Sequence, residues 1–206
     1  MSDADAPIAI RPFRAGDREA VRDLFIRVNR SIAPAPLKEK FEAYIARALA
    51  EEIDRIADYY GERSGGFWVA DSGGTLVGMF GLEPDGRAVM ELRRMYVAPE
   101  ARRRGIARQM LQFAEEECRR RGMQSLTLST SELQGEALAL YRAAGYRLQK
   151  EEIAEAPPAT RPWAAASGAI TSIRRSDENT CNCGPQLPRA WTGARSHIVS
   201  ASLARY

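Results

Sequence analysis

Arg102, Arg103, Arg104 and Gly105 stand between a strand ending in Met95-Tyr96-Val97 and an amphipathic helix opening with Ile106-Ala107. Such a turn presents unpaired backbone N–H groups, and the helix N-terminus adds partial positive charge. The chemistry it suits is the binding of an anion, above all a phosphate. Each residue type has a physical reason. Pro99 ends the strand by removing a backbone donor, Gly105 admits a close ligand, and Ile106, Met110, Leu111 and Ala114 make one apolar helical stripe. A P-loop requires G-x-x-x-x-G-K-[ST] and a dinucleotide fingerprint requires G-x-G-x-x-G; neither occurs at this turn. The plainer alternative is an arginine-rich, solvated helix start.

The pattern Arg102-x-x-Gly105-x-Ala107 after Met95-Tyr96-Val97 resembles the acetyl-coenzyme A signature (R/Q-x-x-G-x-G/A) of the GNAT N-acetyltransferases, with Ala107 in place of the second glycine. A second segment resembles the other half of that family's cofactor site. Ser125 to Thr130 reads as a strand, and Ala137-Leu-x-Leu140-Tyr141-x-x-x-Gly145-Tyr146 as a helix closed by glycine. Gln134 stands where the family usually has Asn. The resemblance covers residues 8–155 and implies an α/β (α+β) fold whose mixed, mostly antiparallel sheet is flanked by helices. It further implies acetyl-CoA as cosubstrate, held by Met95, Tyr96, Val97, Arg102, Arg103, Arg104, Gly105, Ile106, Ala107 and Gln134.

The elements that must position this site are legible around it. Ile8 to Phe13 reads as an opening strand, and Ala20, Val21, Leu24, Phe25 and Val28 share one face of a first helix. Phe41, Tyr44, Ile45, Ala48, Leu49, Ile53 and Ile56 recur at three and four over one long helix from about Leu37 to Tyr60, a core face and not a ligand-binding one. Phe67 to Ala70 and Thr75 to Leu82 flank Asp71-Ser-Gly-Gly74, a hairpin by composition. In the strand that carries Glu91, Leu92 and Met95 are apolar at odd spacing while Met95 and Val97 alternate, so the strand slips by a residue between them. In the GNAT family a bulge here splays two parallel strands and aims a backbone N–H at the thioester carbonyl. A merely irregular strand end is the alternative.

Acetyl transfer to an amine requires the free amine, whose pKa is about 10.4, a base to take its proton, and an acid for the leaving thiolate. Glu91, at the start of that strand, is the candidate base, acting through a water; its bland reading is an exposed carboxylate paired with Arg93. By the resemblance Tyr141 is the general acid, and otherwise a helix tyrosine packed on the sheet. The oxyanion donor would be a backbone N–H near Met95 or Tyr96.

Other chemistries find little support. His197 is the only histidine and lies in the C-terminal tail, which excludes Ser-His-Asp and Cys-His sites inside the domain. Cys118 stands alone beside Glu115, Glu116 and Glu117, and Cys181-Asn-Cys183 has no partner pair, so neither a reactive thiolate nor a metal site is expected. No apolar run is long enough to cross a membrane and no N-terminal signal pattern occurs, so a cytoplasmic protein is expected. The net charge of +3 belongs to the tail: from Ala156 onward six arginines against Asp177 and Glu178 give +4, leaving −1 for residues 1–155. A nucleic-acid surface is therefore disfavoured, and the expected partner is a small-molecule or peptide amine, bound by a monomer or homodimer.

From Pro157 the periodicity ends and lysine disappears, and the closing strand that the family pattern demands is not legible. One reading of residues 156–206 is translation out of frame. With GC-rich codons, Pro158 to Arg174 read from the third base gives a Gly-Gly-Gly turn and an alternating Ile-Arg-Arg-Tyr-His-Phe-Asp-Lys strand. The sheet would then lack an internal strand. The other reading is a disordered basic extension. A GNAT fold that binds acetyl-CoA or a protein without turnover remains a second function class.

Overall fold

The computed structural model describes residues 6–152 and 196–202. In chain order its elements are β1 (Ile8–Pro12), α1 (Arg18–Ile32), α2 (Lys38–Glu51), α3 (Ile56–Glu62), β2 (Gly66–Ser72), β3 (Thr75–Pro84), β4 (Val89–Val97), α4 (Ile106–Arg120), β5 (Ser125–Ser131), α5 (Gly135–Ala143), β6 (Arg147–Glu152) and β7 (Ser196–Ser202). The strands form one sheet in the order β1-β2-β3-β4-β5-β7-β6. Among the described residues only β4 and β5 pair in parallel, with α4 as their crossover. The expected mixed, mostly antiparallel sheet flanked by helices is therefore what forms.

The hairpin between β2 and β3 closes as its composition requires. Gly73 and Gly74 both take positive φ, and the Gly74 N–H donates to Asp71 Oδ1 at 2.7 Å. α4 packs Phe113 against the stacked pair Trp68 and Phe80 on one face of the sheet. On the other face Phe25 of α1 meets Tyr44 of α2 and Tyr96 of β4.

The single helix expected from Leu37 to Tyr60 is in fact two. It breaks at Glu52, whose φ of −136° and ψ of −59° leave the helical region, and a 3-10 turn at Ile53–Arg55 leads into α3. The apolar stripe is core throughout, but Glu52 lies on that stripe and is only 2% exposed. A carboxylate at a core position has to find partners, and the break lets it reach β4. Gly81 of β3 makes room there: a Cβ at this position would run into the Tyr60 ring, whose hydroxyl donates to Glu52.

β4 departs from a regular strand in two places. Met79 pairs with Tyr96 and Gly81 with Arg93, so two residues separate the pairs on β4 where one does on β3: a bulge, placed where the Leu92/Met95 spacing indicates. Arg94, within it, has φ of +52°. β4 pairs with β5 only from Val89↔Ser125 to Leu92↔Leu128, beyond which the two strands part.

The tail requires a correction. The sheet does not lack an internal strand: β7 fills the position between β5 and β6, from Ser125↔Ser202 to Ser131↔Ser196 on one side and Arg147↔Ser200 to Glu152↔Ser196 on the other. A strand paired on both edges satisfies its backbone without needing side-chain alternation. Ser-His-Ile-Val-Ser-Ala-Ser has none to read, so it is invisible in the sequence. His197 also moves from a supposed tail into the sheet, opposite Thr130. The out-of-frame reading concerns residues 158–174, which lie outside the described residues.

Candidate active site

The basic turn leads straight into the N-terminus of α4. Gly105 caps α4 with φ of +76°, and Arg103, two residues earlier, has φ of +62°. The first N–H groups of a helix have no acceptor within it, so those at Gly105, Ile106, Ala107 and Arg108 are available. A Cβ at Gly105 would meet nothing within 4 Å, so the turn is open on that side. Ile106 is 2% exposed and anchors the helix in the core, contributing its N–H and not its side chain. Arg102 is exposed and lies 3.9 Å from Glu136 on α5, across the two halves of the site. Arg104 extends to the Ala6 carbonyl and the Ser72 hydroxyl, each 3.5 Å away, and so is engaged with the β1–β2 edge. The turn thus offers N–H groups and helix polarity first and two further guanidinium groups, those of Arg102 and Arg103, second. That combination fits a pyrophosphate.

Where β4 and β5 part, a cleft opens that is lined by Glu91, Met95, Tyr96, Gln134 and Tyr141, together with Asn29 and Tyr44 from α1 and α2. Val97 lies just beyond, paired with Gly78. Gln134 precedes the first turn of α5 and accepts a hydrogen bond from the Thr130 hydroxyl at 2.8 Å. Tyr141 is buried. Burial, and after it the neighbouring Tyr96, push its phenol well above the usual value, so it carries its proton through the neutral range.

Glu91 is held rather than free. Its Oε2 lies 3.3 Å from Arg93 Nη1, which also reaches Glu83 Oε2 at 3.1 Å, so one guanidinium bridges two carboxylates that face each other across β3 and β4. The pairing with Arg93 is therefore real, although the Glu91 side chain is only 13% exposed. Glu91 still lines the cleft.

Behind the bulge lies a charged network that sequence reasoning missed. Glu52 Oε2 accepts from Arg94 Nη2 at 2.6 Å, Arg94 Nε at 3.1 Å and Arg93 Nη2 at 3.1 Å, while Glu52 Oε1 accepts from the Tyr60 hydroxyl at 2.7 Å. Arg94 Nη1 donates to the Tyr44 hydroxyl. Burial alone would raise the Glu52 carboxyl, but Arg94 and Arg93 outweigh it and hold it at about 2. A depressed carboxyl contributes stability that is present above its unfolded value near 4.5 and is lost as pH falls toward 2. Urea unfolding at pH 6 and pH 3 is expected to show the wild type losing on the order of 2 kcal/mol more than Glu52→Gln over that interval. Equal slopes would mean that the pair is not formed in the folded protein.

Cys118 behaves as its neighbours suggest. Burial pushes its thiol up to about 12, so peptide-resolved alkylation at pH 8 should find it on the order of a thousandfold slower than a free thiol until the protein unfolds. Alkylation at the rate of a free thiol would refute its burial. Among the described residues no cluster of His, Cys, Asp and Glu could hold a metal, and no helix is long and apolar enough to cross a membrane.

β4 and β5 thus form a parallel pair that parts at a bulge, with a glycine-capped basic turn at the head of the crossover helix α4. The acetyltransferase (GNAT) family model matches residues 31–146, and the chain belongs to that family. Among curated relatives, it is 33% identical over 114 residues to the probable N-acetyltransferase family 8 member 5 of Mus musculus, covering 53% of this chain and 50% of the relative. It is 31% identical over 115 residues to N-acetyltransferase 8 of Rattus norvegicus, covering 53% and 52%. The chain thus matches about half the length of these relatives. Among solved structures, a GNAT-family acetyltransferase from Staphylococcus aureus Mu50 superposes with a TM-score of 0.63 at 15% identity, over 96% of this chain and 100% of that one. The PaiA N-acetyltransferase of Thermoplasma acidophilum, solved with coenzyme A, superposes with a TM-score of 0.61 at 19% identity, over 80% and 97%. These last two likenesses speak to the fold. Family membership and the named relatives support acyltransferase activity.

Proposed function

We propose that this protein moves an acetyl group from acetyl-CoA to a primary amine by direct attack in a ternary complex. The observation that carries the reading is the parting of β4 from β5 after Leu92↔Leu128, which opens the cleft beside Met95, Tyr96 and Tyr141. The N–H groups from Gly105 to Arg108, with Arg102 and Arg103, take the pyrophosphate. Arg104 shapes the turn, and Ile106 and Ala107 complete it. The edge of β4 from Met95 to Val97 receives the pantetheine arm and the thioester, and Gln134 faces it from the start of α5.

The proton transfers follow from the lining. The amine gives a proton to Glu91 through a water, and its lone pair attacks the thioester carbonyl. The C–N bond forms, with the oxyanion met by a backbone N–H at the bulge. The oxyanion then collapses, the C–S bond breaks and the thiolate takes the proton of Tyr141, and the surplus proton on the new amide nitrogen returns to the Tyr141 phenolate, so that a neutral amide, CoA thiol and the phenol remain. Glu91 is the carboxylate on the cleft's lining and shares the Arg93 guanidinium with Glu83; the acceptor is a primary amine of a small molecule or a peptide. The proposed domain is residues 8–155 completed by β7, in a cytoplasmic monomer or homodimer.

Isothermal titration with acetyl-CoA and with CoA, followed by thiol release over a panel of amines, tests the reading. Micromolar binding of both and release dependent on one amine class are expected. No binding by the folded protein would refute it.

A further inference from the structure

The bulge of β4 contains a residue that ought not to be comfortable there. Arg94 has φ of +52°, a region that costs L-residues other than glycine conformational energy, yet the turn-forming Asn or Gly is absent. Its side chain shows what holds it: two of its nitrogens converge on Glu52 Oε2, the third meets Tyr44, and the guanidinium lies 5.5 Å from the Phe25 and Tyr44 rings. Arg93 reaches the same Glu52 oxygen. Successive residues of a regular strand point to opposite faces, so two neighbours can share one carboxylate oxygen only if the strand is bulged between them. The carboxylate and the bulge therefore specify each other.

The consequence reaches the cleft. If β4 relaxed to regular alternation, every residue beyond Arg93 would change face, and the N–H groups of Met95 and Tyr96 would turn with them. We infer that Glu52, which meets β4 from the end of α2 and lies outside the cleft's lining, is a positioning residue that acts through Arg94, itself on that lining, to hold the bulge and aim the backbone N–H donors of the cleft. Its link to catalysis rests on the acetyl-transfer reading above, whereas the pin itself does not.

Glu52→Gln keeps the shape and removes the charge. Its kcat is expected to fall about 30-fold while CoA affinity falls less, within about tenfold, because CoA keeps its pyrophosphate at the Gly105 turn and lacks the acetyl carbonyl that the bulge N–H would meet. Adding Arg94→Gly in the same chain supplies a residue that accepts positive φ unaided, and should recover a large part of that loss. Amide hydrogen exchange at residues 94–96, measured without any ligand, should speed up in Glu52→Gln and slow again in the double variant. If Glu52→Gln does not fold, Tyr60→Phe removes one bond from the same carboxylate and should give the same changes at about a third of the size. Unchanged kcat and exchange in a folded variant, or a loss that Arg94→Gly leaves unrelieved, would overturn the inference. A wild type that binds no CoA would refute acetyl transfer, and the exchange data would still decide whether Glu52 holds the bulge.

Discussion

Gly105→Asp is expected to weaken acetyl-CoA binding on the order of 100-fold in titration calorimetry while leaving the protein folded. A carboxylate about 5 Å from a bound pyrophosphate costs roughly 3 kcal/mol at an effective dielectric near 20, and it also competes for the N–H groups of the α4 N-terminus. Sterics contribute little, because a Cβ there meets nothing within 4 Å. Gly105→Ala carries the same strain at φ of +76° without the charge, and should lose less than about tenfold in affinity and about 1 kcal/mol in stability. If the alanine and aspartate proteins bind equally, the turn does not hold the phosphates.

Tyr141→Phe is expected to lower kcat about 100-fold with the KM for acetyl-CoA within about threefold, the pattern of an interaction made only in the transition state. Packing against Tyr146, at 5.9 Å between ring centroids, is kept by phenylalanine, so a purely structural tyrosine would leave kcat unchanged. The pH profile adds a second reading. Because burial holds the Tyr141 phenol above its usual value, kcat/KM should rise as the amine deprotonates and show no falling limb from this residue up to about pH 10. A limb below that, abolished in the phenylalanine protein, would mean that the phenol is solvated and titrates normally.

Much of the site is legible in the sequence because its signals are local. A glycine after three arginines caps a helix, Asp-Ser-Gly-Gly closes a hairpin, and one slip in an apolar alternation marks a bulge; each concerns residues adjacent in sequence. The family resemblance rests on two such segments and points to Gln134 and Tyr141, which line the cleft beside Glu91. The long helix misleads for a complementary reason. Its periodicity continues through Glu52, and nothing local says that this carboxylate leaves the helix to meet Arg93 and Arg94 some forty residues later. A charged residue on an apolar stripe is the signal available, since it must be paired if it is buried there.

The sequence by itself determined most of the element types, though not the break at Glu52 or β7, and with them the glycine-capped basic turn, the bulge position and the family, because propensity, periodicity and capping act over a few residues. Tertiary structure alone decided that Glu91 shares Arg93 with Glu83, that Arg104 turns to the β1–β2 edge, that Glu52 grips the bulge, and that Ser196–Ser202 completes the sheet. Charge pairing between distant segments and a strand satisfied on both edges depend on which neighbours the fold supplies, and no short-range pattern records them.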